Sequence, residues 1–290
     1  MKMEPGHFFY DLLVHNEKFV AKSEDSQFSA YEEHQHPPIT MLTCADSRIQ
    51  GNILGMDLIN KVFTVRNAGN QVARNKGSLA YALTALNTQI FFILGHTNCG
   101  AVSFAAGASL ANIRKHAETK ESSSVGPVKS EQKKTGGIQL VSSKGESKTI
   151  SNLRKVDFSA ASREVQREML PLTIPIERGI ARMVKIGDEK KELAYLSQTN
   201  VDYQVEKALE YYGDRVKEKK LTIIGGIYDF VGAYSNTRGR VVVTNINGID
   251  EKKKLQENAR NFCAADATLD KSSETYKLCY KLIEEKVSRI

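Results

Sequence analysis

Apolar and polar positions follow two rhythms along this chain. Phe8, Leu12, Leu13, Phe19 and Val20 recur at helical spacing and predict a helix over 7–20. After the polar stretch EEHQHPP, residues 39–43 form a short apolar run, read as a strand. KVFTVRNAG, ending at Gly69, is a second strand. GSLAYALTALN puts Leu79, Leu83 and Leu86 on one helical face. QIFFILGH is a third strand, apolar throughout, as expected where both faces of a parallel sheet are covered. CGAVSFAAGASLANI follows as a helix rich in small residues. Strand and helix in alternation predict an α/β fold, a mainly parallel central sheet flanked by helices with right-handed crossovers.

Residues 115–158 break the rhythm. They are rich in Ser, Lys and Gly, poor in large apolar groups, and show no period. A stretch of this kind inside a compact domain is functional or disordered, and it reads as a surface insertion. Helical periodicity resumes at SREVQREML and runs through PIERGIARMVKI and ELAYLSQTNVDYQVEKALEYYGDRV. LTIIGGIYDF is a fourth strand, and GRVVVTNI a fifth, placed antiparallel at the sheet edge. Residues 250–290 form a charged, mostly helical tail.

At 290 residues, 41% of them hydrophobic, the chain can bury a sizeable core. No apolar run approaches the length of a membrane span, and the N-terminus does not read as a signal peptide, so no membrane association and a cytoplasmic location are expected. The net charge of +7 first suggests nucleic acid. However, residues 112–155 hold ten Lys or Arg against four Glu, so nearly all of the excess belongs to one segment, and that segment lacks interleaved aromatics. Nucleic acid is therefore not the expected partner. The four cysteines, at 44, 99, 263 and 279, are too few and too scattered for a disulfide scaffold. Cys263 and Cys279 read as packing residues.

The chemistry gathers where predicted strands end, which is where ligands bind in open α/β sheets. The first strand runs into Cys44-Ala-Asp46-Ser47-Arg48, whose alternate side chains project to one side in extended geometry. The third ends at HTNCGA, carrying His96 and Cys99. Two thiols and an imidazole form a Cys₂His set suited to zinc, with an open fourth position that Asp46 stands close enough to contest. By spacing alone, this set is either a metal site or a pair of ordinary buried cysteines beside a histidine.

CADSR followed by HTNCGA resembles the signature of the β-class carbonic anhydrases, and the resemblance extends to FTVRNAGN, SLAYALTAL, NVDYQV and GGIYDF. It implies one β-carbonic-anhydrase-like domain over 1–290, with a helical N-terminal arm, an insertion at about 115–158 and a helical tail at about 250–290. It also implies one zinc ion per chain, held by Cys44, His96 and Cys99, and reversible hydration of carbon dioxide to bicarbonate and a proton. Asp46 and Arg48 resemble the family's catalytic dyad, in which Arg48 orients Asp46 and Asp46 orients the nucleophile, or ligates zinc if Arg48 lets go. Gln35, Phe63 and Tyr81 fall where plant-type members contact substrate. Gly100 fits a helix start that needs a small residue near the metal. Thr97 and Asn98 stand where the family usually has other residues, and are expected to tolerate change. Assembly as a homodimer or a multiple of dimers is implied. Two other activities compete: a zinc hydrolase of carbon disulfide or carbonyl sulfide, and a zinc-stabilised nucleic-acid-binding protein using the basic insertion.

Overall fold

The structure is a computed structural model. It describes residues 5–109, 137–141, 147–151, 161–183, 188–234 and 237–265, and for 137–141, 147–151, 189 and 259–265 the backbone alone. A five-stranded sheet organises it: β1 (Ile39–Cys44), β2 (Val62–Asn67), β3 (Ile90–His96), β6 (Thr222–Asp229) and β7 (Arg240–Ile246), in the order β2-β1-β3-β6-β7. The first four strands run parallel and β7 pairs antiparallel to β6 at the edge, as the sequence pattern predicts. β1 and β3 lie inside the sheet and are buried almost throughout, which is why they read as unbroken apolar runs.

The two longest described helices build most of the core around the sheet. α6 (Glu189–Lys217) lays Val201, Val205 and Ala208 on Leu42, Phe91, Ile93 and Ile223. α5 (Arg163–Arg182) packs Leu172, Ile176 and Ile180 against Leu196 of α6 and against Cys44, Cys99 and Val102 at the carboxyl end of the strands. Ser162 and Asp188 cap these helices, accepting the amide hydrogens of Val165 and Lys190. The one-turn α2 (Ser26–Ser29) precedes β1, the short α3 (Lys76–Ala80) continues as a wider turn over Tyr81–Ala85, and α4 covers 100–109.

Three details stand out beside the sequence expectation. The helical periodicity carried through SREVQREML and PIERGIARMVKI takes the form of one helix over Arg163–Arg182, with Pro171 and Pro175 inside it. A helical proline leaves the carbonyl four residues earlier without its partner. Arg74 donates to the carbonyl that Pro171 frees, Arg167 O. The interrupted segment is not featureless either: β4 (Gly137–Val141) and β5 (Ser147–Ser151) pair as an antiparallel hairpin. Its strands are five residues each, too short to stand out among Ser and Lys. Third, α1 (Pro5–Val20) forms as expected but buries none of its residues in the chain's own core. The rest of the insertion, the tail beyond 265, and the side chains of Cys263 and Cys279 lie outside the described residues. No described helix is long and apolar enough to cross a membrane.

Candidate metal centre

Parallel pairing of β1 and β3 matches Thr43 with Leu94, so both strands deliver their last residues to the same end of the sheet. Cys44 closes β1, and His96 closes β3. Gly95 precedes His96, and a Cβ there would lie 2.6 Å from Val201 Cγ2, so its lack of a side chain lets α6 press close behind the site. Asn98 then takes a left-handed conformation, φ 56°, which its short side chain tolerates, and turns the chain back toward β1. This returns Cys99 Sγ to within 3.9 Å of Cys44 Sγ. One donor atom each from Cys44, His96 and Cys99 falls within 4.8 Å of the others, and all three residues are buried.

The donors are set up for a cation. His96 Nδ1 lies 3.0 Å from the carbonyl of Thr97. A carbonyl only accepts, so Nδ1 carries the hydrogen and Nε2 keeps its lone pair. That Nε2 is buried without a hydrogen-bond partner, a costly state unless something electrophilic sits there. Cys44 accepts a hydrogen bond from the Gly69 amide at 3.4 Å. The hydrogen bond shared with Cys99 lowers the Cys44 thiol to about 4, against the effect of burial, with help from the Gly69 amide. The same bond, together with burial, pushes the Cys99 thiol up, against the Ala101 and Val102 amides at the start of α4. Two thiols sharing one proton become a full thiolate pair when a cation replaces it.

Asp46 and Arg48 stand at the rim. Arg48 Nε donates to Asp46 Oδ1 at 2.8 Å and Nη2 to Oδ2 at 2.6 Å, a two-pronged grip reinforced by the Arg48 amide at 3.0 Å. Nη2 also donates to the Asn98 carbonyl at 2.9 Å, tying the dyad to the turn between the His96 and Cys99 donors. Asp46 Oδ2 lies 3.8 Å from His96 Nε2, so the carboxylate overlooks the position a fourth ligand would take.

The structure brings Cys44, Asp46, Arg48, His96 and Cys99 together. It does not bring the expected substrate contacts to them. Phe63 is level with Thr40, four positions before Cys44, or about 13 Å along the strand. Phe63 and Tyr81 pack on each other, centroids 5.9 Å apart, with Tyr81 half exposed. Gln35 is exposed at the opposite end of β1. Gly100 does begin α4, but a Cβ there would meet nothing within 4 Å, so this chain alone imposes no need for a small residue.

Sequence reasoning missed several residues that shape the site. Arg66, on β2, donates to the carbonyls of Cys44, Asp46 and Ile49 and to Gln50 Oε1, moulding the loop that carries the dyad. Thr97 was expected to tolerate change, yet its hydroxyl is buried and accepts the Phe230 amide at 2.8 Å. Asp229 ends β6 beside it, and Phe230 follows. Only the position of GGIYDF at a strand end pointed toward these residues.

Residues 39–168 match the family model described as carbonic anhydrase. Over 82 residues the chain is 38% identical to a carbonic anhydrase of Synechococcus elongatus, covering 26% of this chain and 30% of that one. Over 100 residues it is 34% identical to carbonic anhydrase 2 of Mycobacterium tuberculosis, covering 32% and 48%. The matches thus span between about a third and half of these relatives' lengths. Among solved structures, a tetrameric β-carbonic anhydrase of Sordaria macrospora shares the fold at TM-score 0.55 and 21% identity, over 82% of this chain and 96% of that one. A Coccomyxa β-carbonic anhydrase in complex with acetazolamide also aligns at 0.55, with 18% identity over 90% and 98%.

Proposed function

We propose that the chain belongs to the β-class carbonic anhydrase family, as the match over residues 39–168 and the shared fold support, and that it hydrates carbon dioxide reversibly to bicarbonate and a proton, with zinc as its metal. One observation carries the reading: the buried Cys44, His96 and Cys99 donors converge within 4.8 Å, under a carboxylate already gripped by arginine. The donor set fits zinc. Two sulfurs at the usual zinc distance on a tetrahedron stand about 3.8 Å apart, and here they are 3.9 Å apart.

Zinc in this site would acidify a bound water to a pKa of about 7 and so make a nucleophile available at neutral pH. The chain's own residues then set direction. Arg48 keeps Asp46 ionised and turned toward the site. Asp46 accepts a hydrogen bond from the nucleophile, leaving an oxygen lone pair aimed at the carbon of the substrate. The Gly69 amide and the Thr97 carbonyl fix the Cys44 sulfur and the His96 ring.

Gln35, Phe63 and Tyr81 lie away from their own chain's metal site. We propose that they wall the substrate pocket of a second copy across a dimer interface. The uncovered apolar side chains of α1 support this, since they need a surface to pack on. The basic stretch 112–155 lies mostly outside the described residues, and no structural observation favours a nucleic-acid role.

The direct experiment is stopped-flow carbon dioxide hydration, with zinc measured on the same sample and a Cys99→Ser control. Fast hydration with one zinc per chain, lost in the control, is the expected result. Zinc without hydration at neutral and alkaline pH would overturn the assigned reaction and turn attention to carbonyl sulfide and carbon disulfide.

A further inference from the structure

Phe230 follows the last residue of β6, and a linked set of hydrogen bonds holds it beside the metal centre. Its amide donates to Thr97 Oγ1 at 2.8 Å. Thr97 in turn donates its own amide to the Tyr228 carbonyl at 3.0 Å, so the end of β6 is tied to the turn between His96 and Cys99. The preceding residue, Asp229, is fully buried. Its Oδ1 accepts the amides of Val231, Gly232 and Ala233 at 3.0–3.2 Å, and its Oδ2 that of Tyr234 at 3.0 Å. A buried carboxylate satisfied by backbone amides is rigid, and it fixes the loop that carries the ring.

Among the described residues, two aromatic rings and one cation stand beside the ring. Tyr228 meets it at right angles with centroids 4.7 Å apart, which sets its tilt. His96 lies 5.9 Å away, also perpendicular. The Arg48 guanidinium carbon sits 5.2 Å from the ring centroid, within the range of a cation–π contact. The Arg48 side chain is 48% exposed. An arginine exposed to that extent loses much of its ion-pair strength to screening and to side-chain freedom. The aromatic face supplies the missing restraint, because it leaves the guanidinium one favourable plane in which to meet both Asp46 and the Asn98 carbonyl.

We propose that Phe230 is a positioning residue for the Asp46–Arg48 pair: its ring holds the Arg48 guanidinium in the plane that grips Asp46, keeping the carboxylate off the metal position. The proposal rests on the carbonic anhydrase reading for its kinetic consequence, and on the Arg48–Phe230 contact alone for its physical one. Phe230→Leu keeps apolar bulk and removes the π face, Phe230→Met does the same with a more adaptable chain, and Phe230→Tyr retains the face.

In the zinc-loaded protein, the leucine and methionine variants should bind zinc normally yet lose about five- to tenfold in kcat with little change in KM, on the scale of a partly desolvated cation–π contact. Phe230→Tyr should recover most of that loss. A readout independent of activity is the Arg48 Nε–Hε resonance, identified by its absence in Arg48→Lys. It should carry the ring's shielding in the wild type and in Phe230→Tyr, and move downfield in Phe230→Leu and Phe230→Met. An unmoved resonance in both aliphatic variants would overturn the proposal, as would equal impairment of the tyrosine and leucine variants. If the wild type does not hydrate carbon dioxide, the functional reading fails, and the resonance alone still decides whether Phe230 holds Arg48.

Discussion

The Asp46 carboxylate is the residue on which the site's behaviour turns. Arg48 beside it, chiefly through their paired hydrogen bonds, holds its carboxyl well below the usual carboxylate range and raises its own pKa in return. The folded value lies under the ordinary unfolded one of about 3.9, so the pair's contribution to stability is complete above about pH 4. It is lost only as pH falls through the lower folded value. Asp46 should therefore stay ionised from pH 8 down to 5, and a fall in activity over that range should trace to the nucleophile and not to this carboxylate. Arg48→Lys removes the fork and leaves a point charge. We expect it to lower kcat/KM roughly 10- to 100-fold with zinc content unchanged, measured by stopped-flow hydration. Activity within twofold of wild type would contradict the dyad's role. The donors were legible in the sequence because Cys44 and His96 end strands, Cys99 follows His96 by three residues, and each belongs to a chemically distinctive residue type. Arg66, Thr97, Asp229 and Phe230 were not, because their roles depend on partners from distant segments, such as Thr97 with Asp229 at a separation of 132 residues.

At the scale of elements, the site depends on how closely helices approach strand ends. Gly69, just after β2, has φ +79° and donates its amide to Cys44, and a Cβ there would lie 2.6 Å from Leu172 Cδ1 in α5. Leu172 is fully buried and has little room to yield. Gly69→Ala should cost roughly 1–3 kcal/mol, from the strained backbone and from overpacking. A chemical denaturation midpoint would register this, with faster loss of zinc to a chelator as the companion effect. An unchanged midpoint would mean that the α5 contact is looser than it stands here. The interior strands β1 and β3 were readable because buried parallel strands leave unbroken apolar runs. Helical periodicity carried through Pro171 and Pro175, so the continuity of α5 was readable too. The donor to the carbonyl that Pro171 frees was not, because Arg74 lies in another part of the chain. Likewise the β4–β5 hairpin is too short to impose a period on its polar surroundings.

For the whole molecule, the unresolved need is a cover for α1. Phe9 and Tyr10 are 64% and 66% exposed, and Phe8, Leu12, Leu13 and Phe19 are each at least half exposed. An apolar face of this extent marks an interaction surface. The sequence predicted the helix correctly, but a hydrophobic stripe does not say whether its partner is the same chain or another. If the partner is a second copy, the purified protein should have at least twice the mass of one chain by light scattering. Deleting residues 1–31 should then yield a monomer that keeps its zinc but loses activity, because Gln35, Phe63 and Tyr81 would no longer meet a neighbouring site. A full-length monomer with full activity would contradict this arrangement. The central claim is that one metal ion lies between two thiolates and an imidazole, and zinc-edge X-ray absorption of the purified protein tests it most directly. The account predicts one zinc per chain with two sulfurs at about 2.3 Å and one imidazole nitrogen at about 2.0 Å. A shell of nitrogen and oxygen alone, or protein that holds no zinc when supplied with it, would contradict the account.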